Sequence, residues 1–238
     1  TIKNVEYVIN ASGEVDHKNK KKVYLSHFIG VKNLANFFIG KNLKKFIQFG
    51  SSLEYGKKKS PHYENFKIKP VSNYAKAKSS ATNYLLNLNL NKNFPTVIVR
   101  PYQVYGPHQD TNRFIPIVIN NCLKNNKFPC SDGFQKRDFL FVDDFIKAIY
   151  ALIKKDETSG EVINIGSGKA LRLRNIIFLI KNIIKKGNPV FGKIKMRKEE
   201  NMITYPNIRK LIFLTKWKPS TNFRKGIIKT INYFEKNL

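Results

Sequence analysis

The chain has 238 residues, 42% of them hydrophobic and 13% aromatic, enough for one sizeable core or two small ones and too apolar for a disordered or collagen-like protein. No run of about 18 uncharged apolar residues occurs and no short apolar run follows a basic start, so neither a membrane span nor a leader is predicted. Cys122 and Cys130 cannot build a disulfide framework, and no Cys or His pair has zinc spacing, so the expectation is a reduced, cytoplasmic, soluble protein without a metal.

The formal net charge of +28 would ordinarily suggest a polyanion partner. Only eight of the 44 basic residues are arginine, however, and bidentate phosphate or base recognition favours the arginine fork. The lysines are spread along the whole chain beside abundant Asn and Ile, which reads as a compositional bias giving a solvated surface. No specific nucleic acid is expected as a partner.

In chain order, Val5 to Ala11 reads as a strand ending in the small residues Ala11, Ser12 and Gly13. Phe28, Val31, Leu34, Ala35 and Phe38 have helical spacing, closed by Gly40. Lys45 to Phe49 is the next strand, stopped by Gly50, Ser51 and Ser52. After a loop from Lys57 to Pro70, Ser72 or Asn73 caps a helix running towards Leu90, and Phe94 to Val99 forms a strand closed by Pro101. Ile115 to Leu123 is predicted helical, Phe139 to Val142 a short strand, and Asp143 or Asp144 the cap of a helix reaching Ile153. Val162 to Ile165 is a buried strand, and the remainder mixes helices and short strands around Pro189, Pro206 and Pro219. Strand and helix alternate with short connectors, so the fold class is α/β: a doubly wound, Rossmann-like parallel sheet with a smaller substrate-binding part interleaved.

A Tyr-x-x-x-Lys pair can place a phenol and an ammonium on one helix face, where the cation stabilises the phenolate and lets the tyrosine exchange a proton. Lowering a tyrosine pKa from about 10 to about 7 takes roughly 4 kcal/mol. The pattern occurs four times, at Tyr55/Lys59, Tyr63/Lys67, Tyr74/Lys78 and Tyr150/Lys154. The first two fall in a loop where nothing fixes their geometry, and Tyr150 is expected in the core. Tyr74 begins a capped helix soon after a strand ending in Gly50-Ser51-Ser52, and carboxyl ends of parallel strands are where ligands bind.

Ser51 to Gly56, Tyr74/Lys78, Arg100 to Pro107, Arg137-Asp138-Phe139 with Val142-Asp143-Asp144, and Asn164 to Gly168 occur in this order. Together they resemble the extended short-chain dehydrogenase/reductase family, the NAD-dependent nucleotide-sugar epimerases and dehydratases. The resemblance implies NAD or NADP as cofactor, a nucleotide-diphosphate sugar as substrate, and a homodimer. It implies a catalytic set of Ser51, which hydrogen-bonds the sugar oxygen at C4, Tyr74 as acid/base, and Lys78, which holds the nicotinamide ribose. Ala11, Ser12 and Gly13 match the turn that passes the cofactor, and Pro101 the position beside the nicotinamide. Gln103 stands where the family usually has Asn facing the substrate phosphates. Arg113, Phe114, Pro129, Cys130 and Ser131 fall where related enzymes wrap the nucleotide. Arg137 resembles the arginine that grips the pyrophosphate, as its fork suits, and Arg197 a second such arginine. The corresponding division is residues 1–105 and 138–168 for the cofactor part and 106–137 and 169–238 for the sugar-nucleotide part.

The chain departs from the pattern at several points. Its only Gly-x-Gly, Gly166-Ser167-Gly168, follows a late strand, and Leu171 occupies the third glycine position. It starts at Thr1, at what resembles the family's fourth strand. With about 30 residues per βαβ unit, roughly 60 residues carrying the glycine-rich turn are expected upstream, so the sequence reads as a fragment. His27 sits where the family commonly has Asn, and no histidine has a catalytic arrangement readable from the sequence. Family dehydratases carry an acid two positions before the motif tyrosine, often after a second acid, whereas Leu53 and Ser52 stand there. Glu54, one residue displaced, is expected to point the other way. A 4-epimerase or 4-ketoreductase is therefore favoured over a 4,6-dehydratase. A non-catalytic sugar-nucleotide-binding or polyanion-binding relative stays open, although neither needs Ser51, Tyr74 and Lys78.

Overall fold

The computed structural model describes residues 4–196 and 200–237. Strand β1 (Tyr7–Asn10) leads into helix α1 (Lys20–Tyr24), a π-helical turn at Leu25–Ile29, and helix α2 (Gly30–Phe38). Strand β2 (Lys45–Phe49), a 3₁₀ turn at Ser52–Tyr55 and helix α3 (Asn73–Lys92) follow, then strands β3 (Thr96–Pro101) and β4 (Gln103–Tyr105). Helix α4 (Phe114–Leu123), strands β5 (Lys127–Pro129) and β6 (Lys136–Phe141), and helix α5 (Val142–Ile153) come next. The chain continues through β7 (Val162–Ile165), β8 (Ala170–Arg172), α6 (Leu173–Ile184), β9 (Asn188–Val190), β10 (Ile203–Thr204), α7 (Arg209–Thr215) and α8 (Phe223–Lys236).

The main sheet has the order β1-β2-β3-β7, every pair parallel. Each strand alternates its side chains between two covered faces, which is why these strands read as continuous apolar runs. Phe46 of β2 and Ile98 of β3 face α2 and α3, packing with Val31, Ala35, Phe38 and Leu85. Ile47, Val97, Val99 and Ile163 face the other way, towards Phe145, Ala148 and Leu152 of α5 and Leu211 of α7. Lys45 sits in the sheet 1% exposed, and its ammonium donates to the carbonyls of Leu152, Ile153 and Lys155, so one cation closes the carboxyl end of α5. A second sheet is formed by β10, β6 and β4 in parallel with β8 antiparallel to β6, and β5 pairs with β9. Its core lies among α4, α6 and α8, built on Ile115, Ile119, Ile176, Ile180, Ile227 and Phe234.

Several local expectations change. Strand β4, too short to show a period, pairs with β6 in the second sheet, and β3 runs to Pro101. Neither Asp143 nor Asp144 caps α5, whose N-cap is Phe141. Asp144 instead accepts from the Ser220 backbone N–H (3.1 Å) and hydroxyl (2.8 Å) and from the Thr221 N–H (2.7 Å), fastening the segment that enters α8. Tyr150 is not core: it lies on the solvent side of α5, 57% exposed, with the Lys154 ammonium 4.3 Å from its ring centre. Tyr55 is fixed rather than loose, fully buried and donating its hydroxyl to Asn164 Oδ1 at 2.7 Å. Among the described residues, Lys45 and Lys78 are the only buried lysines.

Candidate active site

The turn after β1, the 3₁₀ turn after β2 and the end of β3 meet at the carboxyl edge of the main sheet, and α3 crosses beside them. Ser72 starts α3 by accepting the Ala75 N–H at 3.1 Å, which aims the first turn, with Tyr74, at this edge. Helical spacing then places Tyr74, Lys78 and Thr82 on one face.

Ser51 caps the 3₁₀ turn, its Oγ accepting from the Leu53 N–H at 3.2 Å. Burial pushes the Tyr74 phenol above its ordinary value, and Glu54 adds to that, while the neighbouring Ser51 side chain and the Arg113 charge draw it down. Lys78 is 4% exposed and donates one hydrogen bond, to the Phe49 carbonyl at 2.7 Å, with its nitrogen 5.9 Å from the Tyr74 ring centre. Burial lowers the Lys78 pKa to about 8 against the counter-pull of Glu54.

Two histidines with no catalytic arrangement in the sequence enclose this tyrosine. His17 stacks on the Tyr74 ring at 4.0 Å between centres, and His27 meets it edge-on at 4.9 Å. Burial is the first cause lowering both imidazoles. His27 Nε2 faces the Glu14 carbonyl at 2.9 Å, and its ring fills the space a side chain at Gly13 would need, a Cβ there lying 2.1 Å from the ring. Glycine at 13 is thus set by the histidine that replaces the family's usual Asn.

Glu54 turns away from the site, as expected. It is fully buried, accepting from the Ser51 N–H (2.7 Å), the Thr82 hydroxyl (3.0 Å) and the Arg100 guanidinium (2.9 Å). Leu53, at the dehydratase acid position, is 52% exposed.

A second cavity of about 470 Å³ opens beside the second sheet. It brings together Gln103, Phe114, Pro129, Cys130, Ser131 and Arg137, six residues far apart in the chain and all singled out by sequence. Phe128, Gln135, Ile194 and Met196 also line it, and the sequence held no signal for them beyond proximity to known positions. Arg137 is paired with Glu200 at 2.7 Å and donates to the Lys136 carbonyl at 2.8 Å. Arg113 is not among the lining residues: it stands at the start of α4, where its charge bears on Tyr74 and His17. Arg197 lies outside the described residues. Asp138, conspicuous in sequence, serves the fold, accepting from Ser167 N–H (2.7 Å), Ser167 hydroxyl (2.9 Å) and Lys169 N–H (3.0 Å) to shape the turn after β7.

The molecule is thus an α/β fold whose parallel sheet carries Ser51, Tyr74 and Lys78 at its carboxyl edge, with a separate cleft alongside. Residues 1–166 match the model of the NAD dependent epimerase/dehydratase family, and the chain belongs to that family. It is 31% identical to a putative UDP-glucose 4-epimerase of Methanocaldococcus jannaschii, the match covering 99% of this chain and 79% of that protein. It is 28% identical to the mouse dTDP-D-glucose 4,6-dehydratase over 87% of this chain, and spans only 60% of that relative's length. The UDP-glucuronic acid 4-epimerase of Bacillus cereus, solved with UDP-glucuronic acid and NAD, superposes with a TM-score of 0.91 at 26% identity, covering 98% of this chain and 76% of that one.

Proposed function

We propose that the full-length protein is an NAD(P)-dependent nucleotide-diphosphate-sugar 4-epimerase or 4-ketoreductase, a homodimer of the cytoplasm. The observation that carries this reading is the gathering of Ser51, Tyr74 and a buried Lys78 ammonium at the carboxyl edge of the sheet, combined with an apolar residue where a dehydratase acid would stand. The residues present fit a nicotinamide ribose: the Lys78 ammonium has one fixed acceptor and two further donor directions, and Ala11, Ser12 and Gly13 are exposed in the turn after β1. Pro101, at the end of β3, closes the same edge. NAD(P), when bound, accepts or returns a hydride at the sugar carbon.

In this reading Ser51 hydrogen-bonds the C4 oxygen and Tyr74 takes the C4 hydroxyl proton during oxidation or supplies it during reduction. Lys78 keeps positive charge beside a phenol that burial would otherwise hold protonated. Arg137 neutralises the diphosphate by exchanging Glu200 for phosphate oxygens, and Gln103 and Ser131 add polar contacts in an otherwise apolar cleft. Elimination across C5–C6 needs an acid/base near those carbons, and the only carboxylate of this turn, Glu54, is committed elsewhere.

The test is to incubate the full-length protein with UDP-, dTDP-, GDP- and CDP-sugars and their 4-keto forms in the presence of NAD(H) or NADP(H). Interconversion at C4 is expected, with binding in the cleft weakened about 10–100-fold by Arg137→Ala. Accumulation of a 4-keto-6-deoxy product would overturn the assignment in favour of a dehydratase.

A further inference from the structure

The Ser/Tyr/Lys set rests on two elements, the turn after β2 and helix α3, and one side chain ties both of them to β3. Glu54 Oε1 accepts the Ser51 backbone N–H at 2.7 Å, so it holds the serine of the set in place. Glu54 Oε2 accepts the hydroxyl of Thr82, one turn beyond Lys78 on the face of α3 that carries Tyr74, and also the guanidinium of Arg100 on β3, the strand leading to Pro101. No polar atom of this carboxylate is left for solvent, since Glu54 is fully buried and the Arg100 side chain is 3% exposed. Gly50 leaves room for it, because a Cβ there would lie 2.5 Å from Glu54 Oε1. A buried ion pair of this kind is weak evidence of stabilisation, since desolvation offsets much of the attraction, and a well-packed apolar pair could replace it. Its position suggests another use.

We infer that Glu54 is a positioning residue for the Ser51/Tyr74/Lys78 set, holding the turn that carries Ser51 against the face of α3 that carries Tyr74 and Lys78. The inference rests on the reaction proposed above only for its kinetic consequence. The charges and polar groups facing Tyr74 are Ser51 from the 3₁₀ turn, Glu54 behind it, Arg113 from α4, His17 and His27 from the first crossover, and Lys78 one turn along α3. Glu54 raises both the Tyr74 phenol and the Lys78 ammonium, so it keeps the tyrosine protonated and the lysine charged at the same pH.

The experiment reads the ionisation of Tyr74 directly in the full-length protein, as the ultraviolet difference titration between each protein and its Tyr74→Phe counterpart. Glu54→Gln keeps the shape and one acceptor for the Ser51 N–H but removes the charge. Tyr74 is expected to titrate about one pH unit lower in this variant, the scale of a nearby charge. Turnover should fall about tenfold or more with the acidic shift of the pH profile, while KM for the nucleotide sugar holds. If Glu54→Gln does not fold because Arg100 is left unpaired, Glu54→Gln/Arg100→Gln replaces the ion pair by an amide pair. A shift in the same direction but smaller is expected there, since the Arg100 cation that opposes Glu54 is removed with it. An unchanged Tyr74 titration in either folded variant overturns the inference. Absence of C4 turnover in the native protein would overturn the proposed reaction instead, and leaves the titration to decide on Glu54.

Discussion

The two halves of the site are built on opposite principles. Around Tyr74, three of the facing groups are held by short fixed contacts: Lys78 on a backbone carbonyl, Glu54 on three donors, and His27 on a carbonyl. In the cleft beside the second sheet, the walls are mainly apolar, and Arg137, with Lys195 near it, is held by Glu200, itself only partly buried. The first arrangement suits proton transfer, where geometry and charge must be in place before reaction. The second suits recognition, where a guanidinium can trade one anion for another without rebuilding the fold. Chemistry is therefore rigid and binding exchangeable, and substitutions in the two regions should fail in different ways.

The largest effect is expected at Tyr74. Tyr74→Phe keeps the ring against His17 and His27 but removes the proton carrier, so turnover should fall about 10²–10⁴-fold with nucleotide-sugar affinity retained. Tyr150→Phe is the matched control, sharing the Tyr-x-x-x-Lys pattern on an exposed helix face, and its kinetics should stay at the native value. Equal losses in both proteins would erase the contrast between the two regions.

Lys78 comes next, read through stability. Its pKa is lowered from 10.5 to about 8 by burial, so between those values the unfolded chain binds more protons than the folded one. Stability should then rise with pH across that window, by about 3 kcal/mol in total. Lys78→Met should remove the rise, which denaturant titrations of the two proteins at pH values below and above the window would reveal. A slope that survives the substitution would show that the ammonium is solvated and the floor less rigid than described.

Arg137→Ala in the cleft should weaken nucleotide-sugar binding by about 10–100-fold, the worth of a charge-assisted hydrogen bond, with little change in turnover at saturation. Calorimetric titration with a nucleotide diphosphate checks it without requiring catalysis. A loss in turnover alone would place Arg137 with the rigid half.

How much of this was legible in the sequence follows the same division. Ser51, Tyr74 and Lys78 sit at strand ends and helix starts marked by Gly50, Ser72 and regular spacing, and the parallel sheet follows from apolar runs broken at short intervals. The cleft residues could be grouped only through resemblance, because Gln103, Phe114, Cys130 and Arg137 are brought together by crossovers that periodicity does not encode. Three-residue β4 is too short to carry a period, and Asp144 looked like a cap because its partners at Ser220 and Thr221 lie far along the chain. Tyr150 misled because an apolar helix still has a solvent face. His27 stood out only as a departure from the family pattern, and neither it nor His17 could be assigned to the site because their shared neighbour, Tyr74, lies across the fold on α3.

The smallest effect tests the exchangeable character of the cleft most directly. Glu200 accepts from Arg137 at 2.7 Å, so an incoming diphosphate must displace it. Burial is the first influence lowering the Arg137 guanidinium, and Glu200 opposes it, so the pair stabilises a cation that phosphate would stabilise as well. Replacing Glu200 by Gln removes the competing charge while keeping the side chain's size. Such partly exposed pairs are worth about 0–1 kcal/mol, so affinity for a nucleotide diphosphate should rise only about two- to fivefold. The gain should shrink as salt is raised, because salt screens the competitor and the ligand alike. In an Arg137→Ala background the substitution should add nothing beyond a small non-specific change, since there is no longer a guanidinium to release. Weaker binding in Glu200→Gln would show that Glu200 orients Arg137 for the ligand instead of occupying its place, and the cleft would then be preorganised like the floor.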